Sequence, residues 1–72
     1  MDISKYLNIT DNGLKYLINV KNLNVSFNRK ITDKGLSFLK KIEDLNISFC
    51  SNITDNGLKY LRNVKIWIYQ NI

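Results

Sequence analysis

The 72-residue chain lacks histidine, has a single cysteine and contains no long apolar run. Cys50 therefore has no partner for an internal disulfide, and without histidine the chain offers no ordinary zinc site or Cys–His dyad. Asp2 and Lys5 interrupt the apolar residues at the start, and no later run approaches the roughly 20 residues that span a bilayer. We expect an intracellular protein of the cytoplasm or nucleus that is not an enzyme and uses no cofactor, metal or membrane.

An Ile-Thr-Asp motif recurs with a period of 22 residues, as Ile9-Thr10-Asp11, Ile31-Thr32-Asp33 and Ile53-Thr54-Asp55. Residues 9–21 are identical to residues 53–65 except that Ile18 aligns with Arg62. A fixed period of this length is typical of a solenoid, in which each repeat stacks on its neighbours.

The apolar spacing inside each repeat changes from that of a helix to that of a strand. Leu14, Leu17 and Val20 mark one face of a short helix, whereas Leu23 and Val25 alternate with polar residues as in a strand. The threonine before each helix is a predicted N-cap, at Thr10, Thr32 and Thr54. Read backwards, Met1 and Ile3 align with Leu23 and Val25, so the chain begins inside a repeat.

This pattern predicts a right-handed α/β solenoid of about three 22-residue repeats, with a short parallel sheet on one face and helices on the other. We expect one domain over residues 1–72, divided into a partial repeat 1–8 and repeats 9–30, 31–52 and 53–72. One residue is missing from the last repeat, so that Ile66 and Ile68 take the inward positions and Asn71 takes the position of Cys50.

Several recurring residues have a structural interpretation that we prefer to a catalytic one. The aspartates at 11, 33 and 55 complement the helix dipole, and the glycines at 13, 35 and 57 lack phosphate-loop spacing and are expected to allow close packing of the helix on the adjacent turn. Cys50 is expected to be buried and unreactive, because no cationic neighbour lowers its pKa. The aromatic residues at equivalent positions are expected to pack in the core or at its flank: Phe27 and Phe49, and Tyr16, Phe38 and Tyr60.

The segment Leu45–Asp55 resembles the cysteine-containing leucine-rich repeats of F-box proteins, whose pattern is L-x-L-S-x-C-x-x-I-T-D. Asn28 replaces the cysteine in the preceding repeat, where its side chain can still bond neighbouring backbone, whereas Tyr6 and the last repeat depart from the pattern. The resemblance implies a leucine-rich-repeat solenoid and a role in recognising protein substrates for a ubiquitin ligase. We identify no F-box segment in the chain itself.

In that family the concave sheet face binds the partner, and its side chains alternate with the inward apolar ones. The candidate protein-binding residues are Asn22, Asn24, Ser26, Asp44, Asn46, Ser48, Trp67 and Tyr69. Trp67 and Tyr69 are the candidate anchors, because Trp and Tyr are over-represented at binding hot spots, although they could instead close the end of the solenoid. The expected partner is a protein segment of unknown identity, and the unpaired terminal strands also predict self-association.

Two alternatives remain open. The basic residues outnumber the acidic ones by 11 to 6, and those of the helical side could bind nucleic acid or another anionic surface: Lys15, Lys34, Lys40, Lys59 and Arg62. Nine of the 11 are lysines with no run longer than two, which is typical of a solvated surface, so nucleic acid is not the expected partner. The chain could also be a duplicated fragment of a larger repeat protein with no function of its own.

Overall fold

The structure, a computed structural model that describes residues 1–62 and 64–68, consists of short helical turns that alternate with short strands. The elements are α1 (Asp11–Leu14), a 3-10 turn (Lys15–Leu17), β1 (Asn22–Asn24), α2 (Asp33–Leu36), β2 (Asp44–Asn46), α3 (Asp55–Leu58) and β3 (Lys65–Trp67). The three strands form one parallel sheet in the order β1-β2-β3. This confirms the predicted α/β repeat architecture.

The strand register confirms how the repeats align. Leu23 of β1 lies opposite Leu45 of β2, whereas Leu45 lies opposite Ile66 of β3, so the second pairing is one residue shorter, as the deletion predicts. Before β1, Asp2 forms a parallel bridge with Asn24, and the amide of Ile3 donates to the Asn24 carbonyl at 2.8 Å. The partial repeat at the chain start is therefore in phase with the others.

The apolar side chains of the strands and helices meet in one core between the two layers. Leu14, Val25, Ile31 and Leu45 are fully buried, and each such side chain contributes about 1.5–3 kcal/mol by leaving water. The core is completed by buried Leu23, Leu36, Leu39, Ile42, Ile47 and Cys50. Ile66 lies partly buried against it, whereas Ile68 remains 43% exposed, because among the described residues no further repeat covers it.

In the turns after β1 and β2, Asn28 and Cys50 are buried, whereas Phe27 is exposed and Phe49 is partly exposed. Asn28 is buried, donates to the carbonyl of Ile9 and accepts from the amides of Lys30 and Ile31, which confirms its predicted role. Phe27 and Phe49 adopt positive φ angles of 63° and 58°, a region rarely occupied by bulky residues. Their rings stack with centroids 4.7 Å apart, a contact that offsets part of this cost.

The prediction that the repeated aromatic residues pack in the core or at its flank is wrong for Tyr16 and Tyr60. Tyr16 and Tyr60 are 87% and 58% exposed. Phe38, at the same repeat position, is partly buried and packs against the core.

Thr10, Thr32 and Thr54 occupy the N-cap positions of the three helices, as predicted. The hydroxyl groups of Thr10 and Thr32 accept no hydrogen bond from their own helices, whereas the hydroxyl of Thr54 accepts one from the amide of Asn56 at 3.3 Å. Instead, Asp11 accepts from the amide and the hydroxyl of Thr32 at 2.8 and 2.6 Å. A hydrogen bond that a hydroxyl donates to a carboxylate is charge-assisted and therefore stronger than one between neutral groups.

The same contact recurs one repeat later, where Asp33 accepts from the amide and hydroxyl of Thr54 at 2.6 and 2.5 Å. We call these two contacts, Asp11–Thr32 and Asp33–Thr54, the Asp–Thr ladder. Hydrogen bonds from the Thr54 hydroxyl and then from its amide lower the pKa of Asp33 below its usual value. The aspartates therefore link repeats, a role that the helix-dipole interpretation did not include.

The ladder explains why glycine is required at positions 35 and 57. A Cβ atom on Gly35 would overlap the carboxylate of Asp11, and one on Gly57 would overlap the carboxylate of Asp33. The prediction that these glycines allow close packing is confirmed. At Gly13 a Cβ atom would instead meet Ile9 Cγ2 at 3.3 Å, with no aspartate beside it.

Candidate protein-binding surface

The sheet face is the surface formed by the outward side chains of the strands. The pairing places Asn22, Asp44 and Lys65 in one row, and Asp2, Asn24, Asn46 and Trp67 in a second row. Together with Met1 and Leu23, most of these residues line a shallow depression of about 550 Å³. The parallel register thus brings residues from four segments of the chain to one surface.

Trp67 is the largest side chain of the sheet face and is held by two contacts. Its indole N–H donates to Asp44 Oδ1 at 3.0 Å, and the ammonium group of Lys65 lies 4.7 Å from the ring centroid. A cation at that distance is attracted by the electrons of the ring. The side chain is 38% exposed, so an oriented aromatic surface remains available to a partner.

Asn24 and Asn46 occupy equivalent places and use their side chains in the same way. Asn24 Oδ1 accepts from the amide of Ser26 at 3.0 Å, and Asn46 Oδ1 accepts from the amide of Ser48 at 3.0 Å. These bonds fix the carboxamide groups, whose Nδ2 atoms donate no hydrogen bond within the described residues. The two groups therefore present donors that suit the carbonyl oxygens of a partner.

The sheet face is more acidic than the chain as a whole. Among the described residues it carries the carboxylates of Asp2 and Asp44, the ammonium group of Lys65 and the N-terminal ammonium group of Met1, which donates to the carbonyl of Asn22 at 2.9 Å, whereas the net charge of the chain is +5. Asp2 accepts hydrogen bonds from the hydroxyl of Ser4 and then from its amide, and these lower the pKa of the Asp2 carboxyl. Asp2 is therefore a negative charge at one end of the depression at neutral pH.

Two of the residues predicted from the sequence do not belong to this surface, and a third lies outside the described residues. Ser26 and Ser48 are buried, at 6% and 3% exposure, because the chain leaves the strand and turns inward directly after β1 and β2. They are out of reach of a partner, which corrects the prediction for both. Tyr69 lies outside the described residues, as does Asn71.

Sequence reasoning missed two residues of the sheet face, Asp2 and Lys65. Both could have been found by extending the alignment that it already used. Asp2 lies between Met1 and Ile3, which were placed in phase, and Lys65 precedes Ile66, whose inward position was predicted.

The basic residues of the helical side are all exposed, but exposure alone does not distinguish a binding surface from ordinary solvated lysines. Lys34 lies within α2, and Lys15 and Lys59 follow α1 and α3 directly. No measured feature of these residues favours the nucleic-acid alternative.

The comparison with known families agrees with the structure. The leucine-rich repeat family matches residues 16–40 and 38–61, which together make up more than half of the chain. The protein belongs to the leucine-rich repeat family. No curated protein and no solved structure matches it significantly.

Family membership supports a general role, since leucine-rich repeats generally mediate protein–protein interaction. Within residues 1–62 and 64–68 of this leucine-rich repeat protein, no helix is long and apolar enough to cross a membrane. The described residues also contain no group of three or more metal-ligating side chains.

Proposed function

We propose that this leucine-rich repeat protein is a non-enzymatic binding module that holds a protein segment on its sheet face, with Trp67 as the anchor. The observation that carries the proposal is the fixed orientation of Trp67 by Asp44 and Lys65 beside a depression of about 550 Å³. An aromatic side chain that is already oriented loses little conformational entropy on binding.

The polar groups around Trp67 indicate what kind of segment fits. Asn24 and Asn46 offer donors for backbone carbonyl oxygens, and Asn22 is exposed with no side-chain hydrogen bond among the described residues. The carboxylates of Asp2 and Asp44 can pair with Lys or Arg of the segment, whereas the ammonium groups of Met1 and Lys65 can pair with its Asp or Glu. Tyr69, which lies outside the described residues, is proposed as a second anchor.

A more specific proposal concerns the ubiquitin pathway. The resemblance of Leu45–Asp55 to the cysteine-containing repeats of F-box proteins suggests that the bound protein is a substrate for ubiquitin ligation. This proposal is supported by the resemblance alone. Recovery of ubiquitin-ligase subunits together with the partner would support it further.

The proposal is tested by affinity capture from host lysate, with wild type, Trp67→Ala and the matched control Tyr16→Ala. Tyr16 is an exposed aromatic residue on the helical side, so its removal changes the surface without touching the sheet face. We expect a protein captured by wild type and Tyr16→Ala to be lost with Trp67→Ala, while circular dichroism shows equal folding. Equal capture by all three variants, or recovery of nuclease-sensitive complexes alone, would contradict the proposal.

A further inference from the structure

We propose that a protein segment carrying an aromatic side chain next to an aspartate or glutamate docks beside Phe27. The docking site is a depression of about 400 Å³ lined by Leu7, Phe27, Arg29 and Lys30, which we call the Phe27 depression. It lies at the turn that follows β1 and shares no lining residue with the depression on the sheet face. The inference therefore does not rest on the proposed function.

The backbone of Phe27 has a conformation that a bulky residue rarely adopts, with a φ angle of 63°. Glycine or asparagine would adopt this angle at lower cost. Burial does not account for a phenylalanine at this position, because its side chain is 60% exposed. Residues held in such conformations concentrate at functional sites. The combination of strain and exposure favours a ring that contacts another molecule.

The Phe27 ring stacks on Phe49, but the stack covers only one side of it. The two ring planes are 10° apart and their centroids are 4.7 Å apart. By the 22-residue period, the position that would supply a third ring is occupied by Lys5. The stack therefore ends at Phe27, beside a depression that Phe49 does not line.

The Phe27 depression offers an apolar wall to a side chain from a partner. Leu7 is 61% exposed and lines the depression together with Phe27. A ring placed on the uncovered side of Phe27 would continue the stack, and covering Leu7 would remove further apolar surface from water. A concave site takes in an inserted side chain, whereas binding to a lipid surface requires apolar groups that enter the bilayer. The shape therefore fits an aromatic side chain.

The charged groups beside the ring are cationic. Arg29 and Lys30 line the depression, and none of its lining residues is acidic. The guanidinium group of Arg29 makes no hydrogen bond or ion pair within the described residues. The ammonium group of Lys30 donates to Asn8 Oδ1 at 2.9 Å, which orients it and leaves further N–H groups free. A carboxylate next to the inserted ring would accept charge-assisted hydrogen bonds here, and Arg binds a carboxylate with two N–H groups at once.

A protein segment fits the Phe27 depression better than a nucleic acid does. Proteins that bind single strands place several aromatic rings along a basic groove, so that successive bases can stack. Phe27 and Phe49 instead cover each other, which leaves the depression with one open ring. Affinity for nucleic acid also rises with the number of phosphates neutralised, and only two cations line the depression. Leucine-rich repeats, in contrast, generally mediate protein–protein interaction.

The test uses the full chain, isotope-labelled for NMR, and the synthetic peptide acetyl-Gly-Asp-Phe-Glu-Gly-amide. Binding is followed through the backbone amides of Leu7, Phe27 and Arg29. Two control peptides carry alanine in place of the phenylalanine, or lysine in place of both acidic residues. A thymidine oligonucleotide tests the nucleic-acid alternative.

Two variants remove the two parts of the site separately. Phe27→Asn removes the ring and keeps a residue that tolerates the positive φ angle, and Arg29→Glu reverses the charge beside the ring. Lys34→Glu is the matched control, because it makes the same kind of charge change at an exposed residue of α2. Trp67→Ala alters the sheet face and separates the two binding proposals. Circular dichroism checks that all four variants fold.

We expect the peptide to shift the three amides and to bind wild type, Lys34→Glu and Trp67→Ala equally. Phe27→Asn and Arg29→Glu should each bind it at least about tenfold more weakly, because the ring contact or the charge-assisted bonds are lost, and wild type should bind each control peptide at least about tenfold more weakly. Absence of binding to wild type overturns the inference. So does undiminished binding by Phe27→Asn or Arg29→Glu, or tighter binding of the oligonucleotide than of the peptide. A loss of binding in Trp67→Ala alone overturns it as well, because the peptide then lies on the sheet face, and supports the proposed function instead.

Discussion

The Asp–Thr ladder predicts that equivalent threonines contribute unequally to stability. Thr32 and Thr10 occupy the same position in consecutive repeats, yet the hydroxyl of Thr32 donates to Asp11 at 2.6 Å, whereas the hydroxyl of Thr10 makes no hydrogen bond among the described residues. Replacement by valine keeps the shape of the side chain and removes the hydroxyl. Thr32→Val should therefore destabilise the fold, and Thr10→Val should not.

The expected magnitude follows from the type of bond. A hydrogen bond to a charged group contributes about 1.5–3 kcal/mol when it is well protected from water. Thr32 and Asp11 are both partly exposed, so water recovers some of this energy when the hydroxyl is lost. We expect Thr32→Val to lower the free energy of unfolding by about 1–2 kcal/mol, and Thr10→Val to change it by about 0.5 kcal/mol or less.

Urea titration followed by circular dichroism measures both values, at protein concentrations low enough to exclude association. The comparison also distinguishes two ways in which the threonines could stabilise the fold: by bonding the aspartate of the preceding repeat, or by capping their own helix. If each threonine capped its own helix, both substitutions would cost about 1 kcal/mol. Equal losses would therefore refute the ladder as the source of the stabilisation.

Three further predictions follow from the same contacts. Gly35→Ala should cost about 1–3 kcal/mol in chemical unfolding, because its Cβ atom overlaps Asp11 and Leu14, whereas Gly13→Ala should be nearly neutral in the monomer. The pKa of Asp33 is lower in the folded than in the unfolded protein, so its contribution to stability is fully present above the unfolded pKa of about 3.9 and is lost as the pH falls through the folded pKa. The free energy of unfolding between pH 3 and 5 should therefore depend less on pH in Asp33→Asn than in wild type. Cys50 is fully buried and its pKa is raised by burial, so native protein should resist alkylation by iodoacetamide at pH 8, and the rate should rise in urea in step with unfolding.

Much of the fold could be predicted because it depends on periodicity. The 22-residue spacing, the change from helical to strand spacing and the deletion before Ile66 determine which residues face the core and how the strands pair. Leu14, Val25 and Leu45 are buried as predicted. Stacking of equivalent positions follows from the repeat itself and does not require knowledge of individual contacts.

The departures occur where a polar side chain can choose between partners. Thr32 lies at the predicted N-cap, but its hydroxyl donates to Asp11 of the neighbouring repeat, a contact that the sequence alone does not indicate. Ser26 continues the alternating strand pattern in the sequence, but the chain turns at this point and buries it. The turn depends on a positive φ angle at Phe27, which cannot be predicted from the sequence because residues with a Cβ atom rarely adopt such an angle.

The sheet face differs from the rest of the repeat in how its positions vary. The ladder contacts restrict the residues that form them, because a larger or apolar residue at Asp11, Thr32 or Gly35 would break a contact between neighbours. On the sheet face, Asn22, Asp44 and Lys65 share one row, and Asn24, Asn46 and Trp67 share the next. The rows are not identical, because Asp44 and Trp67 differ from Asn22 and Asn24, and because the one-residue deletion brings Lys65, the sequence equivalent of Lys21, opposite Asp44. In the binding module that we propose, this asymmetry lets the sheet face distinguish one protein segment from another.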